Sequence, residues 1–79
     1  MHYAYILESV ANPSRHYTGL TDDPEERLRR HNAGHVPHTA KFGPWRFRVV
    51  VGFPTREQAA TFEAYLKSHS GRAFASKHF

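Results

Sequence analysis

The stretch HYTGLT, residues 16–21, is rich in strand-forming residues, yet Gly19 sits inside it, two positions after Tyr17. A glycine in a strand interior brings no side chain to pack and loses more entropy on ordering than any other residue. Either the chain bends or bulges at Gly19, or another group approaches the backbone closely there.

Upstream, YAYILE (3–8) reads as a strand, with Tyr3, Tyr5 and Leu7 on one face and Ala4 and Ile6 on the other. Both faces are largely apolar, as expected of a central strand. SVANPSR (9–15) carries Asn12-Pro13-Ser14, a turn signal. HYTGLT is then a second strand, antiparallel to the first.

Downstream, a helix is predicted over about 24–33. Asp23 is placed to cap it, Pro24 suits its first position, and Gly34 suits its C-terminal stop. At 100° per residue, Leu28 faces the sheet, and Arg27 and His31 flank it on a shared face. Glu25, Glu26, Arg29 and Arg30 fall on the solvent half. Arg27 and His31 therefore stand where helix meets sheet. That position suits a snorkelling arginine and a satisfied polar histidine as well as a functional pair.

GHVPHTAKFGP (34–44) has no periodicity and two prolines, and reads as a long loop. WRFRVVVGF (45–53) reads as a third strand, with Trp45, Phe47, Val49 and Val51 on one face and Arg46, Arg48 and Val50 on the other. A second helix is predicted over 55–70. Thr55 caps it, and Ala59, Phe62 and Leu66 form its buried stripe with Tyr65 on the edge. Glu63 flanks that stripe, four positions before Lys67, a spacing that suits a surface ion pair. GRAFASKHF (71–79) is a basic, aromatic tail with room for a further helical turn or two. The order β-β-α-β-α predicts one small α+β domain over 1–79, with a three-stranded, mainly antiparallel sheet and flanking helices.

Size and charge narrow the function. A chain of 79 residues buries roughly 60% of its unfolded surface. It has no cysteine, so disulfides and thiolate metal sites are excluded, and a reducing cytoplasmic setting fits. No apolar run is long enough to span a membrane, and the N-terminus lacks the pattern of a secretory leader. Net charge +4 and a pI near 9.9 suggest a polyanionic partner, with Lys41, Arg46, Arg48 and Arg72 as candidate contacts. His31, His35 and His38 have ligand-like spacing, but Gly34 interrupts the helix between the first two. A structural zinc site wants four firm ligands, and none is expected here.

Taken together, these residues resemble the GIY-YIG nuclease family, above all its small single-domain bacterial members related to the N-terminal domain of the excision-repair nuclease subunit. Tyr3-Ala4-Tyr5 stands for the first family motif and Tyr17-Thr18-Gly19 for the second. Arg27 follows the second-motif tyrosine by ten residues, His31 comes one helical turn later with Asn32 beside it, and Glu63 lies on a later helix. Tyr3 and Thr18 depart from the Gly and Ile of the motif names, and Leu20 stands where some members carry Lys. The resemblance implies a metal-dependent endonuclease that hydrolyses phosphodiester bonds in DNA processing or repair. It implies Tyr5, Tyr17, Arg27 and His31 as catalytic residues and Glu63 as the ligand of a divalent metal, Mg or Mn. Nucleic acid, DNA ahead of RNA, is the implied partner, contacted by Gly19, Asn32, Lys41, Arg46, Arg48 and Arg72. A protein partner or a homodimer is left open, and the rival reading is a binding module with little or no cleavage. The resemblance also suggests that a phosphate, or the helix bearing Arg27, approaches the backbone at Gly19.

Overall fold

The computed structural model describes residues Met1–Phe79. Strand β1 (His2–Ser9) lies at the centre of a three-stranded antiparallel sheet of order β2-β1-β3, with β2 at His16–Thr21 and β3 at Trp45–Phe53. Its central place follows from its sequence. Ala4, Tyr5, Ile6 and Leu7 are all buried, so both faces are covered. Tyr5 and Leu7 join Trp45 in the core, with Tyr17, Leu28, Phe42 and Phe47 packed around them.

Helix α1 (Pro24–Asn32) follows its predicted phase. Asp23 accepts from the Glu26 N–H, Pro24 opens the helix, and Gly34 takes φ 80° just beyond its end. His31 is buried, Arg27 and Leu28 are half-buried, and Glu25, Glu26, Arg29 and Arg30 are exposed. The segment read as an unstructured loop contains a short helix, α2 (Pro37–Ala40). Pro37 has the fixed φ that starts such a turn, and four residues are too few for periodicity to reveal.

The third strand departs from its expected alternation. Ile6 pairs with Val49 and Leu7 with Phe47, so Arg48 is a bulged residue without a partner on β1. An extra residue reverses the facing of everything beyond it. Trp45 and Phe47 share a face as expected, and the pairing puts it on the Tyr5 side of the sheet. Val49 and Val51 instead lie opposite Ile6 and Ala4 on the other face, and Val50 pairs with Tyr5. Nothing in WRFRVVVGF marks the bulge, because Val49, Val50 and Val51 suit either facing.

Helix α3 (Arg56–Lys67) covers that other face with Ala59 and Leu66 and is capped by Thr55. It ends earlier than the predicted residue 70. Ser68 is extended, and its hydroxyl accepts from the Gly71 N–H at 3.1 Å, opening a further helix, α4 (His69–His78). The turn demands glycine at 71, because a Cβ there would sit 2.5 Å from the Tyr65 carbonyl carbon. No helix is long and apolar enough to cross a membrane.

Candidate active site

β1, α1 and α2 bring four polar side chains into one chain of hydrogen bonds. Tyr5 projects from the α1-facing side of β1, and its hydroxyl lies 2.9 Å from His31 Nε2. His31 Nδ1 lies 2.8 Å from Thr39 Oγ1, and that hydroxyl donates to the Val36 carbonyl at 3.2 Å. The Thr39 proton is thereby committed, so Thr39 Oγ1 accepts from a protonated Nδ1. Nε2 is then the bare nitrogen and accepts the Tyr5 proton. The Tyr5 oxygen in turn accepts from Arg27 Nε–H at 3.3 Å. Each group donates to the next, from Arg27 through Tyr5, His31 and Thr39 to Val36, and no buried side-chain polar atom lacks a partner.

Burial sets the protonation of this chain. His31 is 1% exposed, and its pKa is pushed down to about 4, first by desolvation and then by the Arg27 charge. It is therefore neutral at neutral pH, as a bare Nε2 requires. Burial likewise raises the Tyr5 pKa. The hydrogen bond and charge of Arg27 oppose that rise, while Tyr17 and Glu63 reinforce it. Arg27 is held firmly as a cation, chiefly by its hydrogen bond to Tyr5, with Tyr17 acting in the same direction.

Tyr17 stands beside this chain on β2, its ring 4.9 Å from the His31 ring and 6.4 Å from Tyr5. It is half-buried, whereas Tyr5 is fully buried. Glu63 is 20% exposed on α3, with its carboxylate 3.1 Å from Lys67 Nζ. Its charge adds the smallest of the contributions that raise the Tyr5 pKa, well behind burial. The surface ion pair expected for Glu63 is present, and no hydrogen bond joins its carboxylate to Tyr5, Arg27 or His31.

At Gly19 another group does approach the backbone closely, as one of the two sequence readings expects, but it is neither of the groups the resemblance suggests. Gly19 pairs across the sheet with Tyr5 and is buried. A Cβ at Gly19 would fall 2.5 Å from Tyr5 Cζ. The vacant side-chain space is thus filled by Tyr5, not by a phosphate or by α1, and Gly19 makes no bulge. Asn32 is likewise engaged within the fold. Its amide nitrogen donates to the Trp45 carbonyl and its amide oxygen accepts from the Trp45 N–H at 2.6 Å, tying the end of α1 to the start of β3.

The other basic candidates separate. Arg46 and Arg48 share the Glu8 carboxylate at 2.7 and 3.2 Å, and their hydrogen bonds hold the Glu8 pKa down, that of Arg46 most. Arg72 on α4 and Lys41 after α2 have no carboxylate partner within ion-pair distance, and both are exposed. Thr39 was not legible as a site residue. It orients His31 through its hydroxyl, and its carbonyl accepts from Trp45 Nε1 at 2.7 Å. Pro37, placed to open a helical turn, was the only sequence signal near it.

No group of three or more His, Cys, Asp or Glu side chains converges to cage a metal. Glu63 by itself offers one hard carboxylate. That donor fits a divalent cation of the magnesium kind, which keeps several waters and takes its remaining ligands from substrate phosphate.

A family model described as the GIY-YIG catalytic domain matches residues 1–77. The chain is 42% identical over 81 residues to a structure-specific endonuclease subunit SLX1 of Candida dubliniensis, covering 94% of this chain and 27% of that protein. It is 42% identical over 65 residues to the SLX1 homologue of Giardia intestinalis, covering 77% and 18%. The UPF0213 protein BH0048 of Halalkalibacterium halodurans is 36% identical over 72 residues, covering 90% of this chain and 74% of that one. The solution NMR structure of UPF0213 protein BH0048 from Bacillus halodurans superposes with a TM-score of 0.56 at 32% identity, covering 96% and 82% of the two chains. The match over nearly the whole length and the α+β architecture shared with the solved relative agree: the chain belongs to the GIY-YIG family.

Proposed function

We propose that this protein is an endonuclease domain that hydrolyses a phosphodiester bond of nucleic acid, DNA ahead of RNA, in DNA processing or repair. The observation that carries this reading is the hydrogen-bonded chain that holds Arg27 as a cation beside the half-exposed Tyr17. Relatives named as structure-specific endonuclease subunits support it, as does the family match.

In this mechanism Arg27 spends one of its five donors on Tyr5 and offers others to the oxygens of the scissile phosphate. Charge accumulates on those oxygens as water attacks phosphorus, and a fixed cation stabilises that state. Tyr5 is a positioning residue. Its oxygen is already engaged by Arg27 and by His31, and it has no exposed surface. Neutral His31 keeps the Tyr5 proton pointing inward, so the lone pair facing Arg27 stays available. Tyr17, at the rim, orients the attacking water. The P–O bond to the leaving oxygen breaks as the new one forms, the water's proton passes to solvent, and the leaving oxygen takes a proton from solvent. Glu63 would hold a divalent metal, which when bound supplies charge neutralisation at the phosphate.

A second reading is a nucleic-acid-binding module with little cleavage, favoured by the pairing of Glu63 with Lys67. Because the relatives are named as subunits, a protein partner belongs to either reading. Purified protein is incubated with labelled duplex, forked and single-stranded DNA, with and without magnesium, beside Glu63→Ala. Magnesium-dependent nicking lost in the variant supports the enzyme. Binding without nicking on every substrate supports the module.

A further inference from the structure

On the sheet face opposite α1, β2, α3 and α4 enclose a groove of about 540 Å³. Ile6 and Leu66 lie along it, and Arg48, Lys67 and Arg72 line it from β3, α3 and α4. No Asp or Glu is among its lining residues. Two of its cations pair with carboxylates from outside the lining. Glu8 is shared between Arg46 and Arg48, which leaves an excess of positive charge, and the half-buried Glu63 meets Lys67 in an i,i+4 helical pair. Arg72 has no carboxylate partner within ion-pair distance. Ser14 and Ser76 add hydroxyls at the lining.

Two features shape this groove. The bulge at Arg48 breaks the regular alternation of β3, and the side chain is only 23% exposed although it carries a full charge. The corner at Gly71 turns α4 against α3 and places Arg72 at the groove. Cations from three separate elements around a concave surface without acids make a receptor for an anion with several phosphates along its length.

The groove adjoins the catalytic cluster. Lys67 lines it and stands 3.1 Å from the Glu63 carboxylate. Tyr17 belongs to both places, since its ring packs on His31 and the residue also lines the groove. β2 is an edge strand, so a polymer can pass over it from one face to the other. We propose that the groove is a second phosphate-binding subsite. It holds the backbone of the nucleic-acid strand at phosphates away from the scissile one, so that the substrate bends around the β2 edge. This rests on the nuclease reading above and extends it to the path of the substrate.

The test measures binding and cleavage separately on the full chain. Fluorescence anisotropy follows a labelled oligonucleotide, single-stranded and forked, against wild type, Arg72→Ala, Arg72→Glu and Arg48→Gln/Arg72→Ala across a range of salt. Each lost phosphate contact is expected to reduce the log–log salt slope by about 1. The double variant should bind roughly tenfold more weakly at low salt, a size typical of losing one or two such contacts. In cleavage, KM should rise while kcat at saturating substrate holds. Arg29→Ala, on the solvent side of α1, is the control for a general charge effect. Salt slopes equal to wild type in all groove variants overturn the subsite. So does inorganic phosphate that displaces the oligonucleotide at comparable concentration, because the groove then takes a free anion and not a strand. Wild type that nicks DNA with a slope indifferent to Arg72 leaves the nuclease standing and removes the subsite. Wild type that binds with the Arg72-dependent slope but never nicks removes the nuclease and leaves the subsite.

Discussion

The Tyr5 hydroxyl donates to His31 Nε2 at 2.9 Å, across 26 positions of sequence and with both side chains buried. The tautomer is fixed from behind by Thr39, so the phenol has one orientation and Arg27 meets a lone pair, not a proton. Arg27 is thereby held without a carboxylate in ion-pair distance, which under the proposed mechanism leaves it free for a phosphate. Carboxylates near Arg27 would compete with the substrate for it.

Arg27→Ala is expected to lower cleavage by roughly 10²–10³, the usual cost of losing a group that stabilises developing charge. Arg29→Ala is expected to change cleavage little, because Arg29 is solvent-exposed and pairs with Glu26. Single-turnover rates of the two variants on one nicking substrate check the contrast. Equal losses would mean that Arg27 has no special access to the phosphate.

Thr39→Val keeps the shape of the residue and removes the acceptor of His31 Nδ1–H. A buried donor left without a partner costs about 1–3 kcal/mol. The melting temperature should fall by roughly 4–8 °C per kcal/mol for a domain of this size. Cleavage should fall with it, through the loosened His31–Tyr5–Arg27 chain, and Thr39→Ser should restore both. Recovery of stability without recovery of rate would separate Thr39 from the site.

Stability should depend on pH through His31. Its folded pKa, about 4, lies below the ordinary 6.5, so the unfolded chain binds the extra proton. The contribution is fully present above the unfolded value and is lost as pH falls from about 6.5 through about 4. Between pH 7 and pH 5 this one residue should cost about 2 kcal/mol of stability. Thermal melts across that range should show the slope in wild type and a much flatter one in His31→Gln. An unchanged slope in the variant would assign the effect to other groups.

Glu63→Ala should abolish metal-dependent nicking while leaving the melting temperature without metal within a few degrees. Glu63 lies beside the Ala59 and Leu66 stripe, and its bond to Lys67 is an i,i+4 surface pair worth about 0.2–0.5 kcal/mol. Nicking at the wild-type rate would reduce Glu63 to a helix-surface residue. Unfolding would make it structural.

Gly19→Ala should damage the site more than the strand. The new methyl would press on the far end of the Tyr5 ring, which is held in place by His31 and Arg27. Cleavage is expected to drop by more than the loss of melting temperature explains. Nicking rate and thermal melt measured together test it, and a fully active variant would show that Tyr5 has room to move.

Much of this protein follows from local sequence, and the remainder depends on pairing. The helix of Arg27 and His31 was legible because capping by Asp23, Pro24 and the 3.6-residue period act within a few residues of one another. The central strand was legible because four consecutive residues, Ala4 to Leu7, are apolar on both faces. Tyr5, Tyr17, Arg27, His31 and Glu63 were singled out as candidates through the family resemblance, since local periodicity by itself reads Arg27 and His31 as interface residues and Glu63 as a surface partner of Lys67 as readily. Three things were decided only by the tertiary structure. The bulge at Arg48 comes from how β3 registers on β1, and a run of three valines tolerates either register. The role of Gly19 depends on its cross-strand partner, since the ring that needs the space belongs to Tyr5, fourteen residues earlier. Thr39 became a site residue because the packing of α2 against α1 leaves His31 Nδ1 a single buried acceptor. Local sequence sets the conformations available to each segment, but the partner of a buried polar atom is chosen by which segments meet, and that choice is long-range.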